Sequence, residues 1–437
     1  MVVYRLQKIY LYSAYFSIKT LYPAMKLTLL LIAILLLPLL IQAQDKSTVP
    51  LTRRRMNDTL VVAQQDTSAQ KDLYDVIRSV FNKKGTVDNK AITVIGSKPV
   101  FSVLPAVGYT LQTKLAVTLS GNIAFRVSDN SRISTISSNA AYTQNKQIII
   151  PLQSNIWTAG NQFNFIGDFK YYKYPQSTFG LGSNSRSANE NPMDYTLFRF
   201  HETILTRITG NLYGGAGFIY DNHFNITETG NADGSVSDYT LYGPETSTVS
   251  SGVTLNALVD MRDNSINPTR GFYGAVQYRN NKTFLGSTSA WSSLIIDVRK
   301  YYRFPASSHN VIAFWSYNWV VLNGKPPYLD LPANTWDQYN GTGRGYIQGR
   351  FRGAQMVYLE SEYRYHITKN GLLGGVAFFN AESFSAAPGS PLQKVQPGYG
   401  AGLRIKLNKV SKTNIAIDYG MGNQGSKGVF VTVGEIF

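Results

Sequence analysis

Two hydrophobic periods divide the chain. From about residue 98 to the end, apolar and polar side chains alternate. Asn164, Asp168 and Lys170 alternate with Phe163, Phe165, Phe169 and Tyr171; Asp297 and Arg299 with Leu294, Ile296 and Val298. Tyr358, Glu360, Glu362 and Arg364 alternate with Val357, Leu359, Tyr363 and Tyr365. Near the end, Arg404 and Lys406 alternate with Leu403, Ile405 and Leu407, and Asn414, Ala416 and Asp418 with Ile415, Ile417 and Tyr419. Successive side chains of a strand point to opposite faces, so each segment has one apolar and one charged face. An apolar face in lipid and a charged face in a polar lumen describe a transmembrane barrel. A soluble sandwich would instead bury the apolar face and point the charges at bulk water.

About sixteen such segments follow one another, centred near 104, 119, 137, 151, 167, 202, 215, 255, 276, 296, 314, 360, 376, 401, 416 and 432. An even count closes a bacterial barrel with both chain ends on one side. The long connections then fall near 174–194, 222–249 and 322–353, each after an odd-numbered strand and so on the outer side. The expected fold class is therefore all-β, a transmembrane antiparallel β-barrel over 98–437.

Ahead of the barrel the pattern differs. Leu27 to Ile41 is continuously apolar, follows Lys26 and ends near Ala43. A basic start, an apolar core and a small terminal residue predict a signal peptide, and the core is short for a spanning helix. Residues 1–43 then comprise an upstream extension and the signal, with Met25 the natural start. Residues 44–97 form a periplasmic linker, polar over 45–70. Within it Leu73, Val76, Ile77, Val80 and Phe81 recur at helical spacing and predict a short amphipathic helix over 71–83. Such a helix could pack as a plug or lid, lie on the inner leaflet or bind a partner; the sequence does not choose.

Composition agrees with a barrel. Aromatic residues reach 13% and charged residues only 16%, with 29 Tyr and 37 Gly. A mean hydropathy of −0.14 is too polar for a bundle of membrane helices. The absence of Cys removes a disulfide framework, a thiol nucleophile and a lipoprotein anchor. The formal charge of +16 falls to +12 without Arg5, Lys8, Lys19 and Lys26. These cations are spread through alternating strands rather than clustered, which argues against a nucleic-acid partner. His201, His223, His309 and His366 lack metal-ligand spacing, and no G-x-S-x-G elbow or phosphate-binding loop occurs. Neither an enzyme nor a cofactor nor a metal is expected.

Two stretches carry more specific information. Asp260, Arg262, Asp263, Asn264, Pro268 and Gly271 fall in one connection, where Asn, Pro and Gly suit a tight inward-facing turn. Gly343-Arg344-Gly345-Tyr346 lies in the long connection between the eleventh and twelfth strands. Glycines on both sides of Arg344 allow a sharp turn, and a guanidinium carried into a lumen must meet carboxylates, for which parity offers Glu360 and Glu362. Pro105 in the first strand and Gly434 in the last either weaken a seam between them or mark a bulge and a kink. Phe437 ends an alternating strand and reads as an insertion signal for the cell's barrel assembly machinery.

The turn and the loop tip resemble the corresponding segments of the BamA/TamA-type outer-membrane assembly barrels, the bacterial surface antigen barrels. The resemblance covers the barrel, about 340 residues; between Gln44 and about Lys98 there is no room for the periplasmic POTRA modules of that family. It implies an outer-membrane barrel that helps insert or translocate proteins or lipids, with membrane lipids, client molecules and the assembly machinery as partners and a monomeric barrel. It also implies that Arg344 meets an acidic residue on the twelfth strand, where Glu362-Tyr363-Arg364-Tyr365 matches. On the thirteenth strand a second acidic partner is replaced by Asn380, so the clamp would be weaker or rearranged. The alternative is a passive pore or structural barrel that keeps the motif for stability.

Overall fold

The computed structural model describes residues 70–81, 98–110 and 113–437. The expected signal peptide, the expected upstream extension and most of the expected linker lie outside the described residues.

Seventeen strands form one antiparallel meander. They are β1 (Val100–Thr110), β2 (Lys114–Phe125), β3 (Ser134–Thr143), β4 (Ile148–Trp157), β5 (Phe163–Lys173), β6 (Gln176–Thr178), β7 (Asn191–Thr209), β8 (Leu212–Glu228) and β9 (Ser247–Asp260). Then come β10 (Gly271–Asn281), β11 (Trp291–Arg303), β12 (Val311–Gly324), β13 (Gln355–His366), β14 (Leu373–Ser385), β15 (Gln396–Asn408), β16 (Thr413–Gly422) and β17 (Lys427–Val433). The three-residue β6 only continues the line of β5 along β7. Sixteen strands therefore make the wall, and each expected centre falls inside its strand. Counted along the wall, the twelfth strand is β13 and the thirteenth β14.

Side-chain burial alternates as the sequence pattern requires. Leu115, Val117 and Leu119 of β2 are exposed while Ala116, Ser120 and Ala124 are buried; Leu359 of β13 is exposed while Glu360 and Glu362 are buried. Apolar groups thus face outward and charged groups inward, the reverse of a water-soluble protein. The wall is not uniform inside. β2 to β4 present Ser120, Asn122, Ser137, Asn139 and Gln153 to a lumen cavity, whereas β5 to β16 carry the charged residues.

The long connections 174–190, 229–246 and 325–354 lie at one end of the barrel, as their place after odd wall strands demands. The loop 325–354 folds into the lumen. Tyr328, Leu329, Leu331, Ala333, Trp336, Tyr346 and Phe351 form a hydrophobic core with wall residues Trp315, Trp319, Tyr358 and Phe384. The barrel thus encloses an apolar core made by its own loop, which replaces water with packed side chains.

At the other end sits α1 (Leu73–Phe81), which starts two residues later than expected, while the expected 82–83 lie outside the described residues. Asp72 and Asp75 cap it reciprocally, each carboxylate accepting the other's backbone N–H at 2.9–3.1 Å. The helix docks on the rim: Asp72 accepts from the Lys409 backbone N–H at 3.0 Å, and the Lys409 ammonium donates to Asp75 at 2.7 Å. Lys71 donates to the Asn370 carbonyl, and the Tyr74 hydroxyl lies 3.4 Å from the Val103 nitrogen of β1.

Among the described residues, β1 and β17 lie beside each other with no hydrogen-bonded ladder between them, while each remaining pair of wall neighbours is laddered. Pro105 does not mark a bulge. The β1–β2 register runs unbroken from Val100↔Ala124 to Thr110↔Lys114 and includes Pro105↔Leu119. Gly434 lies just beyond β17 rather than within it, with φ of 117°. A residue with a Cβ rarely adopts that angle, and here the chain turns inward. Phe437 is consequently not on the lipid face: its ring stacks on Trp315 at 5.1 Å, and its main-chain oxygen accepts from Arg364 at 2.8 Å.

Candidate functional site

The tip of loop 325–354 is held by its own turns before it meets the wall. Asp337 accepts from the backbone N–H groups of Gly341 and Thr342 at 3.0 and 2.9 Å and from the Thr342 hydroxyl at 2.8 Å. Gly343 and Gly345 adopt φ of 78° and 106°, so Arg344 projects from a bend that L side chains on either side would strain. A Cβ on Gly345 would stand 2.6 Å from the Met421 carbonyl oxygen. The wall is correspondingly bare of side chains here. Added Cβ atoms at Gly398, Gly420 and Gly422 would strike the Arg344 carbonyl, the Gly345 nitrogen and the Tyr346 ring. Tyr346 closes the contact, donating to the Pro397 carbonyl at 2.6 Å and accepting from the Asn423 N–H at 2.9 Å.

Arg344 is 3% exposed, so its charge must be met inside. Its guanidinium donates to Glu360 and Glu362 of β13 and, at 2.8 Å, to Asp418 of β16. The Phe378 ring lies 3.8 Å from the guanidinium carbon, a cation–π contact in a desolvated setting. The carboxylates are shared further. Arg364 donates to Glu362 at 2.7 Å, Arg404 to Asp418 at 2.5 Å and to Glu435 at 2.8 Å, and the Tyr358 hydroxyl to Glu360. Three arginines and four carboxylates from β13, β15, β16, the loop and the C-terminal turn thus form one buried network. Such a network fixes one position of the loop, because withdrawing any cation leaves carboxylates uncompensated.

The structure brings Gly343, Arg344, Gly345, Tyr346, Glu360 and Glu362 together. Asn380 also reaches the tip, but its amide donates to the Arg344 carbonyl at 2.9 Å instead of accepting from the guanidinium. The clamp is therefore rearranged, with Asp418 supplying the further carboxylate. Parity places Asp418 in the lumen, but only the folded loop brings it to Arg344. Arg404, Glu435 and the three bare glycines were likewise not marked by any motif.

The turn residues stand apart from the tip. Asp260 accepts from Arg262 at 2.9–3.1 Å, and Asn264 accepts from the backbone N–H groups of Ile266 and Asn267 at 2.8 Å. Asp263 binds Thr269 through its N–H and hydroxyl at 2.9 and 2.6 Å. Pro268 is buried in the turn, and Gly271 has φ of 117° where a Cβ would meet the Met261 carbonyl at 2.3 Å. These residues satisfy one another, as turn chemistry requires.

The described wall and its inward loop can be set beside known proteins. The model described as the Omp85 superfamily domain matches residues 121–437. Among solved structures the chain is similar to BamA from Haemophilus ducreyi lacking POTRA domains 1-3, at 12% identity over 77% of this chain and 69% of that one, with a TM-score of 0.48. It is also similar to CdiB from Acinetobacter baumannii (11% identity, 77% and 60% covered, TM-score 0.49) and CdiB from Escherichia coli (9%, 77% and 62%, 0.50). At such identities the likeness concerns the fold, and the chain spans about three-fifths of the CdiB chains. No curated protein matches this chain. A wall of sixteen strands, a loop folded into its lumen and a family match over most of the chain agree: this chain belongs to the Omp85 superfamily of bacterial outer-membrane barrels, a family of protein-transport and assembly barrels.

Proposed function

We propose that this barrel assists the insertion or translocation of proteins or lipids at the outer membrane by a lateral route at the β1–β17 boundary. The observation that carries the reading is the unladdered boundary beside a lumen occupied by its own loop. A buried, multiply bonded plug opposes free axial flow, whereas strand edges without partners can pair with an incoming strand. Pro105 on β1 supports the same reading, since a strand edge tolerates a residue without an N–H donor. Gly434 supports it too, by ending β17 early and turning the chain inward.

Depletion of the protein followed by comparison of outer-membrane proteins and lipids tests this. Selective loss of particular barrels, surface proteins or lipids is expected and would identify the cargo; an unchanged membrane would defeat the proposal. The rival is a passive pore, favoured by the polar cavity along β2 to β4. Steady conductance of the purified barrel in planar bilayers would decide for the pore, and rare, brief openings for an occluded barrel.

A further inference from the structure

Almost every lumen arginine has a carboxylate or carbonyl to meet. Arg199 and Arg279 bind Asp221, Arg299 binds Asp297, and Arg350 and Arg352 bind Ser185 and loop carbonyls. One place departs from this rule. At the rim where α1 docks, a cavity of about 140 Å³ opens between β11, β13, β15 and their turns. Arg303 from the end of β11, Lys406 from β15 and Lys412 from the β15–β16 turn line it together. His366 of β13 joins them. They stand close enough to repel: Lys412 feels Arg303, Lys406 feels Lys412, and His366 feels Lys406.

The acids nearby are already engaged. Glu435 is bound by Arg404 at 2.8 Å and by Asn414 at 2.5 Å. Asp72 is held by the Lys409 N–H, and Asp263 by Thr269. Among the described residues, Arg303, Lys406 and Lys412 form no ion pair, and the Arg303 Nε is buried without a hydrogen-bond partner. Three convergent cations lining one small cavity without a counter-ion cost stability unless an anion completes the set.

We propose that this inner mouth of the barrel is a binding site for a phosphate group. A guanidinium fork beside two ammonium groups suits the several oxygens and multiple charge of a phosphate monoester or diphosphate. A single carboxylate would neutralise only one of the three cations. The cavity lies at the periplasmic rim, so the phosphate arrives either free or on a lipid headgroup reaching the mouth.

The test uses the purified full chain in detergent, with inorganic pyrophosphate as probe and calorimetry as readout. Saturable binding is expected, weakened by added salt. Arg303→Gln, Lys406→Gln and Lys412→Gln should each weaken it by about tenfold, the loss of one charge-assisted hydrogen bond. Lys300→Gln, on the opposite face of β11, should leave it unchanged. Vesicles containing phosphatidic acid that displace pyrophosphate would assign the site to headgroups; failure to displace it would assign it to free phosphate. Absence of saturable pyrophosphate binding would overturn the proposal, as would full affinity in a folded Lys406→Gln/Lys412→Gln variant or equal binding of a polyglutamate peptide. Should these variants not fold, acylation of Lys406 and Lys412 in the wild-type barrel decides. Pyrophosphate should protect both lysines, and unchanged labelling would overturn the site.

Discussion

At the scale of single residues, the loop tip concentrates the consequences. Replacing Arg344 with Ala leaves Glu360, Glu362 and Asp418 buried around a missing cation, a loss of about 3–5 kcal/mol by comparison with other broken buried pairs. The expected result is a lower temperature for loss of the folded barrel's fast gel mobility; an unshifted transition would show that the network does not hold the loop. Glu360→Gln should cost less, because two carboxylates still face the guanidinium and the amide oxygen still accepts. Gly345→Ala tests the geometry without touching a charge. Its φ of 106° and the Met421 oxygen 2.6 Å from the added Cβ should displace the tip and lower the same transition. A neutral outcome there would mean that the tip contact tolerates more space than its glycines suggest.

At the scale of elements, α1 is joined to the rim by polar contacts of Asp72 and Asp75 with Lys409. Ile77 is 44% exposed, and Leu73 and Val76 are only half-buried. The Asp72 and Asp75 carboxylates carry much of the docking, through Lys409 and through each other's backbone N–H. Burial by itself raises the Asp75 carboxyl, but the Lys409 hydrogen bond and charge, with the Asp72 contact, outweigh it and hold the group below its usual 3.8. A carboxyl lowered in the folded state contributes stability that is fully present above the ordinary value and is lost as pH falls through the lower one. Protection of α1 against hydrogen exchange, measured relative to the free-peptide rate at each pH, should therefore be high at neutral pH and fall below about pH 4. An Asp72→Ala/Asp75→Ala variant should exchange fast at every pH, with the barrel strands unaffected. Protection that does not change between pH 7 and pH 3 would assign the docking to other contacts.

At the scale of the whole molecule, the occupied lumen and the unladdered boundary make opposite demands. The loop core packs on β5, β7, β8 and β11 to β14, while β1 and β17 meet without a ladder. Because the chain has no Cys, paired cysteines placed on β1 and β17 would form the sole disulfide. Locking the boundary should abolish activity in the depletion background and reduction should restore it, if cargo moves laterally. A locked barrel that still complements would exclude the lateral route. Arg344→Ala should in addition raise conductance, since a loop released from its clamp no longer stays folded into the lumen.

Much of this architecture is local and therefore legible in the chain. Alternation of apolar and charged residues decides which face each strand turns to lipid, and loop length with strand parity decides the side on which each connection lies; neither needs a long-range contact. The inward orientation of Glu360, Glu362 and Asp418 follows from the same parity. What tertiary structure alone decided is the partner of each inward group. Asp418 is 74 residues from Arg344 in sequence, and only the folded loop makes Asp418 its partner and turns Asn380 to the backbone. The inward turn at Gly434, the burial of Phe437 on Trp315 and the unpaired cations at the rim are of the same kind. A strand's period specifies the direction of a side chain, whereas its pairing depends on which distant segment closes over it, and no local pattern encodes that.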